Sequence, residues 1–125
     1  MTIGEFSRET GVSASALRYY EDKGLIHVNR DYGNRRIYSS EDIEWVKFLQ
    51  RLKNTGMSLK NMKIYSDLRY EGDSTIAKRL ALLEKHQQYV DDQKALWDEY
   101  ADNLAQKIEW YRRHLERQES RNKCE

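Results

Sequence analysis

Two hydrophobic rhythms divide the chain. Up to residue 72, apolar side chains fall into short helical stripes broken by Gly, Ser, Thr and Asn; from Ser74 onward one continuous seam takes over. Thr2 and Glu5 form a T-x-x-E capping box that predicts a first helix over about 3–10, with Ile3 and Phe6 facing inward. Gly11 supplies the left-handed residue that ends it, Val12 is an apolar plug, and Ser13 is a good N-cap for a second helix running to about Lys23. Gly24 stops that helix. Residues 27–38 then alternate and turn: His27 to Asn29 rise, Tyr32-Gly33-Asn34 reverse direction, and Arg35 to Tyr38 return, which predicts a small hairpin. Ser39-Ser40-Glu41-Asp42 opens a third helix over about 41–54. It has one stripe at Ile43, Val46 and Leu49 and another at Trp45, Phe48 and Leu52, so it is expected to pack on two sides. Thr55-Gly56 breaks it, and Ser58 caps a fourth helix to about Tyr70, with Leu59, Met62, Tyr65 and Leu68 inward.

Beyond Ser74 the rhythm changes to steps of four and three without a slip. Positions 76, 80, 83, 87, 90, 94, 97, 101, 104, 108, 111, 115 and 118 form the seam, and ten of the thirteen are apolar. Its principal residues are Ile76, Leu80, Leu83, Val90, Trp97, Leu104, Ile108, Tyr111 and Leu115. This is a coiled-coil pattern. A helix of roughly 65 Å, at 1.5 Å per residue, cannot bury such a stripe within so small a chain. It needs a partner, and a second copy is the simplest one. The domain boundary is expected between residues 72 and 73, giving a compact domain over 1–72 and a dimerisation helix and tail over 73–125.

Composition narrows the options. Charged residues make up 34% of the 125 and hydrophobic residues 38%, and proline is absent, which suits long half-exposed helices. The formal net charge of +1 weighs against a generally basic nucleic-acid binder, so any basic footprint must be local. No apolar run approaches the length of a membrane span, and no signal-peptide pattern is present, which predicts a cytoplasmic protein without a membrane partner. The single cysteine, Cys124, has no partner for an internal disulfide and fits a reducing compartment.

Chemistry concentrates around the second helix and the hairpin. Ser15, Arg18, Tyr19 and Asp22 are spaced i, i+3, i+4, i+7 and share one face, with Lys23 just beyond; Leu17 and Tyr20 share the opposite face. Serine, arginine and tyrosine suit phosphates and base edges. An isolated stripe of this kind is more often a solvated face, but the glycine turn before it and the basic hairpin after it favour DNA. In the hairpin, Arg30, Arg35 and Arg36 interleave with Tyr32 and Tyr38. His27, His86 and His114 are too scattered for a metal site, and no nucleophilic catalytic set is present, so neither an enzyme nor a cofactor is expected. Trp97, Tyr100, Trp110 and Tyr111 are first read as packing residues; the speculative alternative is an apolar effector cleft lined by Tyr65, Tyr70 and Trp97.

The combination resembles the MerR family of bacterial transcription regulators. The residues that carry the resemblance are Ile3-Gly4-Glu5-Phe6, Thr10-Gly11-Val12-Ser13, Leu17-Arg18-Tyr19-Tyr20-Glu21, Gly24-Leu25-Ile26, Arg36 with Tyr38, the Ser-x-Glu-Asp start of the third helix at Ser39 to Asp42, and Thr55-Gly56-Met57-Ser58. The likeness implies a mainly α fold: an N-terminal winged helix-turn-helix domain with a small hairpin wing, then a long helix pairing antiparallel in a homodimer. It further implies that the dimer binds double-stranded, pseudo-palindromic promoter DNA and distorts an overlong spacer so that RNA polymerase can use it, in response to a small-molecule effector. On this analogy Ser15, Arg18 and Tyr19 reach the major groove, and Arg36 with Tyr38 clamps backbone from the wing, while Tyr20 ranks as core.

The chain also departs from the family pattern. Asn34-Arg35-Arg36 stands where a Gly-Tyr-Arg arrangement is common. The spacing resembles the aldehyde- and electrophile-responsive subgroup, but the cysteine of that subgroup's third helix is replaced by Arg51 or a neighbour, so its switch does not carry over. One cysteine in a terminal tail cannot build the thiolate site of the metal sensors. The competing readings are a coiled-coil interaction protein and an architectural DNA-bending protein with no effector.

Overall fold

The computed structural model describes residues 1–124, with side chains through Asn122, and divides into two units, Met1–His86 and the residues from Gln87 onward. The side chain of Cys124 lies outside the described residues.

In the first unit, α1 (Ile3–Thr10) starts at Thr2, whose hydroxyl accepts from the Glu5 amide at 3.2 Å. It ends at Gly11, whose φ of 72° is a left-handed conformation that costs glycine nothing. The Ser7 hydroxyl donates to the Val12 carbonyl, and the Thr10 hydroxyl accepts from the Val12 amide, fixing the turn into α2 (Ala14–Asp22). Ser13 caps α2 by accepting from the Ala16 amide. Leu17 and Tyr20 are buried on one face of α2, as their spacing predicts, and Phe6 packs beside them.

The hairpin consists of β1 (Asn29–Arg30) and β2 (Arg36–Ile37), paired antiparallel with Arg30 opposite Arg36. Strands of two residues have little stability of their own, so side chains must hold the reversal. The Asp31 carboxylate accepts from the amides of Gly33 and Arg35, each at 2.9 Å. The left-handed residue at the tip is Asn34 (φ 60°), an amino acid that tolerates this region. At its far end the hairpin is held to the start of the chain, where the Tyr38 amide donates to the Met1 carbonyl.

The third helix, α3 (Asp42–Asn54), buries both predicted stripes: Val46 and Leu49 on one, Trp45 and Leu52 on the other, with Ile43 and Phe48 half-buried. Each such side chain removed from water contributes about 1.5–3 kcal/mol. In α4 (Leu59–Glu71), capped by Ser58, Met62 and Tyr65 are buried as expected, but Leu59 is exposed and Leu68 only half-buried. The reason is that the inward face of α4 is partly polar. Lys63, Ser66 and Tyr70, at i, i+3 and i+7, face the turn that follows α2. Lys63 Nζ donates to the Gly24 carbonyl at 3.3 Å, Ser66 Oγ to the Leu25 carbonyl at 2.7 Å, and the Tyr70 hydroxyl accepts from the His27 amide at 3.0 Å. Trp45 Nε1 donates to the same Leu25 carbonyl.

A short 3-10 turn (Asp73–Thr75) leads into α5 (Ile76–Cys124). The compact unit extends past the expected boundary at 72, because Leu82 and Leu83 of α5 pack on the core and Thr55 Oγ1 lies 2.8 Å from His86 Nε2. The seam residue Leu83 therefore serves this core as well. The second unit is the remainder of α5, and none of its described residues is buried. Val90 is half-buried, but Trp97 is 69%, Leu104 64% and Tyr111 61% exposed, with Ile108 and Leu115 also open. Ile76 and Leu80, in the first unit, are likewise exposed. Apolar side chains in such a row on one helix require burial from outside the chain.

Candidate nucleic-acid interface

On α2, the face opposite Leu17 and Tyr20 presents Ser15, Arg18, Tyr19 and Lys23, all exposed. Arg18 has, among the described residues, no hydrogen-bond or ion-pair partner, so its five donors are free for an external acceptor. Tyr19 is about half exposed, and Lys23 Nζ lies 5.7 Å from its ring centroid. The Ser15 and Ser13 hydroxyls are 3.3 Å apart at the start of the helix. A short side chain, a guanidinium and an aromatic ring thus line the outer face of α2.

The wing arginines have separate fates. Arg35, near the tip, is the most exposed, with Nε 3.4 Å from Asp31 Oδ2. Arg30 and Arg36 both turn back to Glu21 on the last turn of α2: Arg30 Nη2 donates to one carboxylate oxygen at 2.9 Å, and Arg36 Nε donates to the other. The glutamate bond holds the Arg36 guanidinium above its ordinary pKa, against the opposing effect of desolvation. Asp31 moves the other way: the Arg35 amide, then the Gly33 amide and the Arg35 charge, keep its carboxyl below the usual value of 3.8.

Tyr38 lies inside rather than on the wing's surface, contrary to expectation. Its ring is not a surface clamp; it is 3% exposed and stacked on Phe6 with centroids 4.7 Å apart, because β2 turns this position inward onto α1. Among the described residues its buried hydroxyl has no hydrogen-bond partner. Burial pushes the phenol pKa up, while the charges of Arg36, Arg18 and Arg30 pull it down and Glu21 adds to the rise. The guanidinium of α2 and two of the wing therefore converge electrostatically near one orphaned donor.

Of the expected effector residues, Tyr65 and Tyr70 pack within the first unit. Tyr65 is 9% exposed and stacks on Trp45 at 5.5 Å. Tyr70 stacks on His27 at 3.7 Å and donates to Asp42, which also pairs with Arg69. These rings are occupied in holding α3, α4 and the post-α2 turn together. Trp97 belongs to the second unit, edge-on to Tyr100. Among the described residues, no group of three or more His, Cys, Asp or Glu side chains is placed to hold a metal ion. Sequence reading missed Glu21 and Asp31. A signal was available for Asp31, which lies between Arg30 and Arg35-Arg36, but Glu21 has no such run of arginines around it.

Two helices joined by a tight glycine turn, a two-stranded hairpin beside the second, and a long helix with an unburied seam define a winged helix-turn-helix regulator. Residues 1–68 match the family described as MerR HTH family regulatory protein. An HTH-type transcriptional regulator of Haemophilus influenzae is 41% identical over 114 residues, spanning 90% of this chain and 84% of that one. AdhR of Bacillus subtilis is 37% identical over 89 residues, 70% of this chain and 64% of its own. Among solved structures, HiNmlR, a MerR family regulator lacking the sensor domain and bound to promoter DNA, superposes with a TM-score of 0.77 at 38% identity, covering 90% of each chain. A MerR family transcriptional regulator from Listeria monocytogenes gives 0.84 at 34% identity, over 92% and 88%. The chain belongs to the MerR family of HTH transcription regulators.

Proposed function

We propose that this protein binds promoter DNA as a homodimer, with α2 in the major groove and the hairpin on the flanking backbone. Distortion of the bound promoter then controls its use by RNA polymerase. The observation that carries this is the outer face of α2: Arg18 is exposed and unpaired between Ser15 and Tyr19, beside a hairpin bearing three guanidinium groups. The promoter-bound neighbour HiNmlR supports the assignment. Arg18, Tyr19, Ser15, Lys23 and Arg35 meet the DNA from exposed positions, whereas Arg30 and Arg36 do so while tethered to Glu21. Tyr38 supports the wing from within, through its stack on Phe6, rather than by touching DNA. The protein works without catalysing a reaction, as its relatives are regulators, and in the cytoplasm, where promoters are.

The low net charge is compatible with this role, because phosphate contacts depend on where charge sits rather than on its total. The second unit supplies the second reader by burying its seam against another copy. The test is selection of duplexes from a random-sequence library by the full chain, followed by salt titration on the selected duplex. One inverted repeat should emerge, and Arg18→Ala should flatten the slope of log affinity against log salt by about one per protomer. A chain that enriches no sequence refutes the reading.

A further inference from the structure

We infer that Glu21 is a positioning residue for DNA recognition, holding the wing in register with α2 by bridging Arg30 and Arg36. This rests on the DNA-reading function proposed above and names a group that does not itself touch DNA.

Arg30 and Arg36 are direct cross-strand partners. Like charges in that position repel and destabilise a pair of strands, and these strands are only two residues long. The compensating charge comes from another element: Glu21, nine residues before Arg30 and fifteen before Arg36, gives one carboxylate oxygen to each. All three side chains are partly shielded from water, which strengthens the attraction relative to a surface pair. The bridge therefore makes the wing's charge tolerable and fixes its orientation on α2.

The atoms used matter as much as the charge. Glu21 holds Arg36 by Nε, along the edge of the guanidinium, and among the described residues the terminal nitrogens have no hydrogen-bond acceptor. Arg30 is held by Nη2, with Nη1 on the Asn34 carbonyl at 3.3 Å. Two long side chains are thus ordered before DNA arrives, and the entropy of ordering them is not charged to binding. The consequence runs against simple electrostatics. Removing a carboxylate next to DNA should strengthen binding if Glu21 were only a negative charge, but weaken specific binding if it positions the arginines.

The test uses the full chain and two probes: the duplex that the parent protein selects from a random library, and a scrambled duplex of equal length. Glu21→Gln should bind the selected duplex about tenfold more weakly, the order expected for leaving two arginine side chains unordered, with scrambled-duplex affinity unchanged or higher. In a chain already carrying Arg30→Ala and Arg36→Ala, Glu21→Gln should cost nothing further, which separates positioning from a general loss of fold. Equal or tighter binding of the selected duplex by Glu21→Gln overturns the inference, as does a penalty that persists without the two arginines. A parent that enriches no sequence instead removes the DNA-reading function itself.

Discussion

The Leu25 carbonyl accepts from two side chains of different helices, Trp45 Nε1 of α3 at 3.0 Å and Ser66 Oγ of α4 at 2.7 Å, so both lone pairs are used in a buried site. Removing either donor leaves the oxygen satisfied by the other. Ser66→Ala should cost about 1 kcal/mol, the net value of one such bond. Trp45→Phe loses a similar bond and some packing against Tyr65 and Arg69, about 2 kcal/mol together. The double variant leaves the carbonyl with neither donor. An orphaned buried acceptor costs about 1–3 kcal/mol beyond the bonds themselves, so the two changes should be more than additive by about 1–2 kcal/mol. Urea denaturation of parent, single and double variants at one fixed protein concentration measures this, since a self-associating chain has a concentration-dependent stability. Additivity within about 0.5 kcal/mol would mean instead that water reaches the carbonyl once the donors go and that it is not left orphaned.

Two further outcomes follow from the same structure. Leu104→Glu should leave the first unit folded by circular dichroism but weaken self-association by about 10² to 10⁴-fold in sedimentation, from the loss of one buried leucine per copy at about 1.5–3 kcal/mol; an unchanged mass would place the interface away from the seam. In the hairpin, the folded Asp31 carboxyl is held below its ordinary value of 3.8. Its contribution is present above that value and fades as pH falls through the lower folded pKa. The amide resonances of Gly33 and Arg35 should therefore titrate together below pH 3.8 in the parent and not in Asp31→Asn; a midpoint at or above 3.8 contradicts the assignment.

The elements that depend on local rules were legible in the sequence. Thr2, Ser13 and Ser58 cap as their residue types require, Gly11 ends α1 in the left-handed region, and the two faces of α2 separate by helical spacing. What escaped were relations between elements distant in sequence. The position of Tyr38 relative to Phe6, 32 residues apart, is set by how the hairpin folds back on α1, and period-two alternation over two-residue strands is too short to assign a face. The Tyr70 hydroxyl accepts from the His27 amide, a demand that exists only once α4 crosses the turn. Glu21 is one of 21 acidic residues, and nothing in its immediate neighbours marks it. Its role appears only when Arg30 and Arg36 become cross-strand partners.

These long-range bonds explain how a short chain with few strand residues can present a defined surface. The segment from Gly24 to His27 joins α2 to the hairpin, and an unsupported turn there would let the two drift independently. Lys63, Ser66 and Tyr70 of α4 grip the main-chain groups of residues 24, 25 and 27 in order, so the turn is held from behind by one rigid helix. A Cβ on Gly24 would come within 2.8 Å of Lys63 Nζ, so the lysine side chain lies directly against the turn. Glu21 closes the arrangement from the front by tying both strands to the end of α2. A reader of a double helix needs its helix and its wing fixed relative to each other more than it needs a large total charge, because each contact is lost when its donor is misplaced by about an ångström. Here that fixity comes from one carboxylate on the exposed side and three polar side chains of α4 behind the turn.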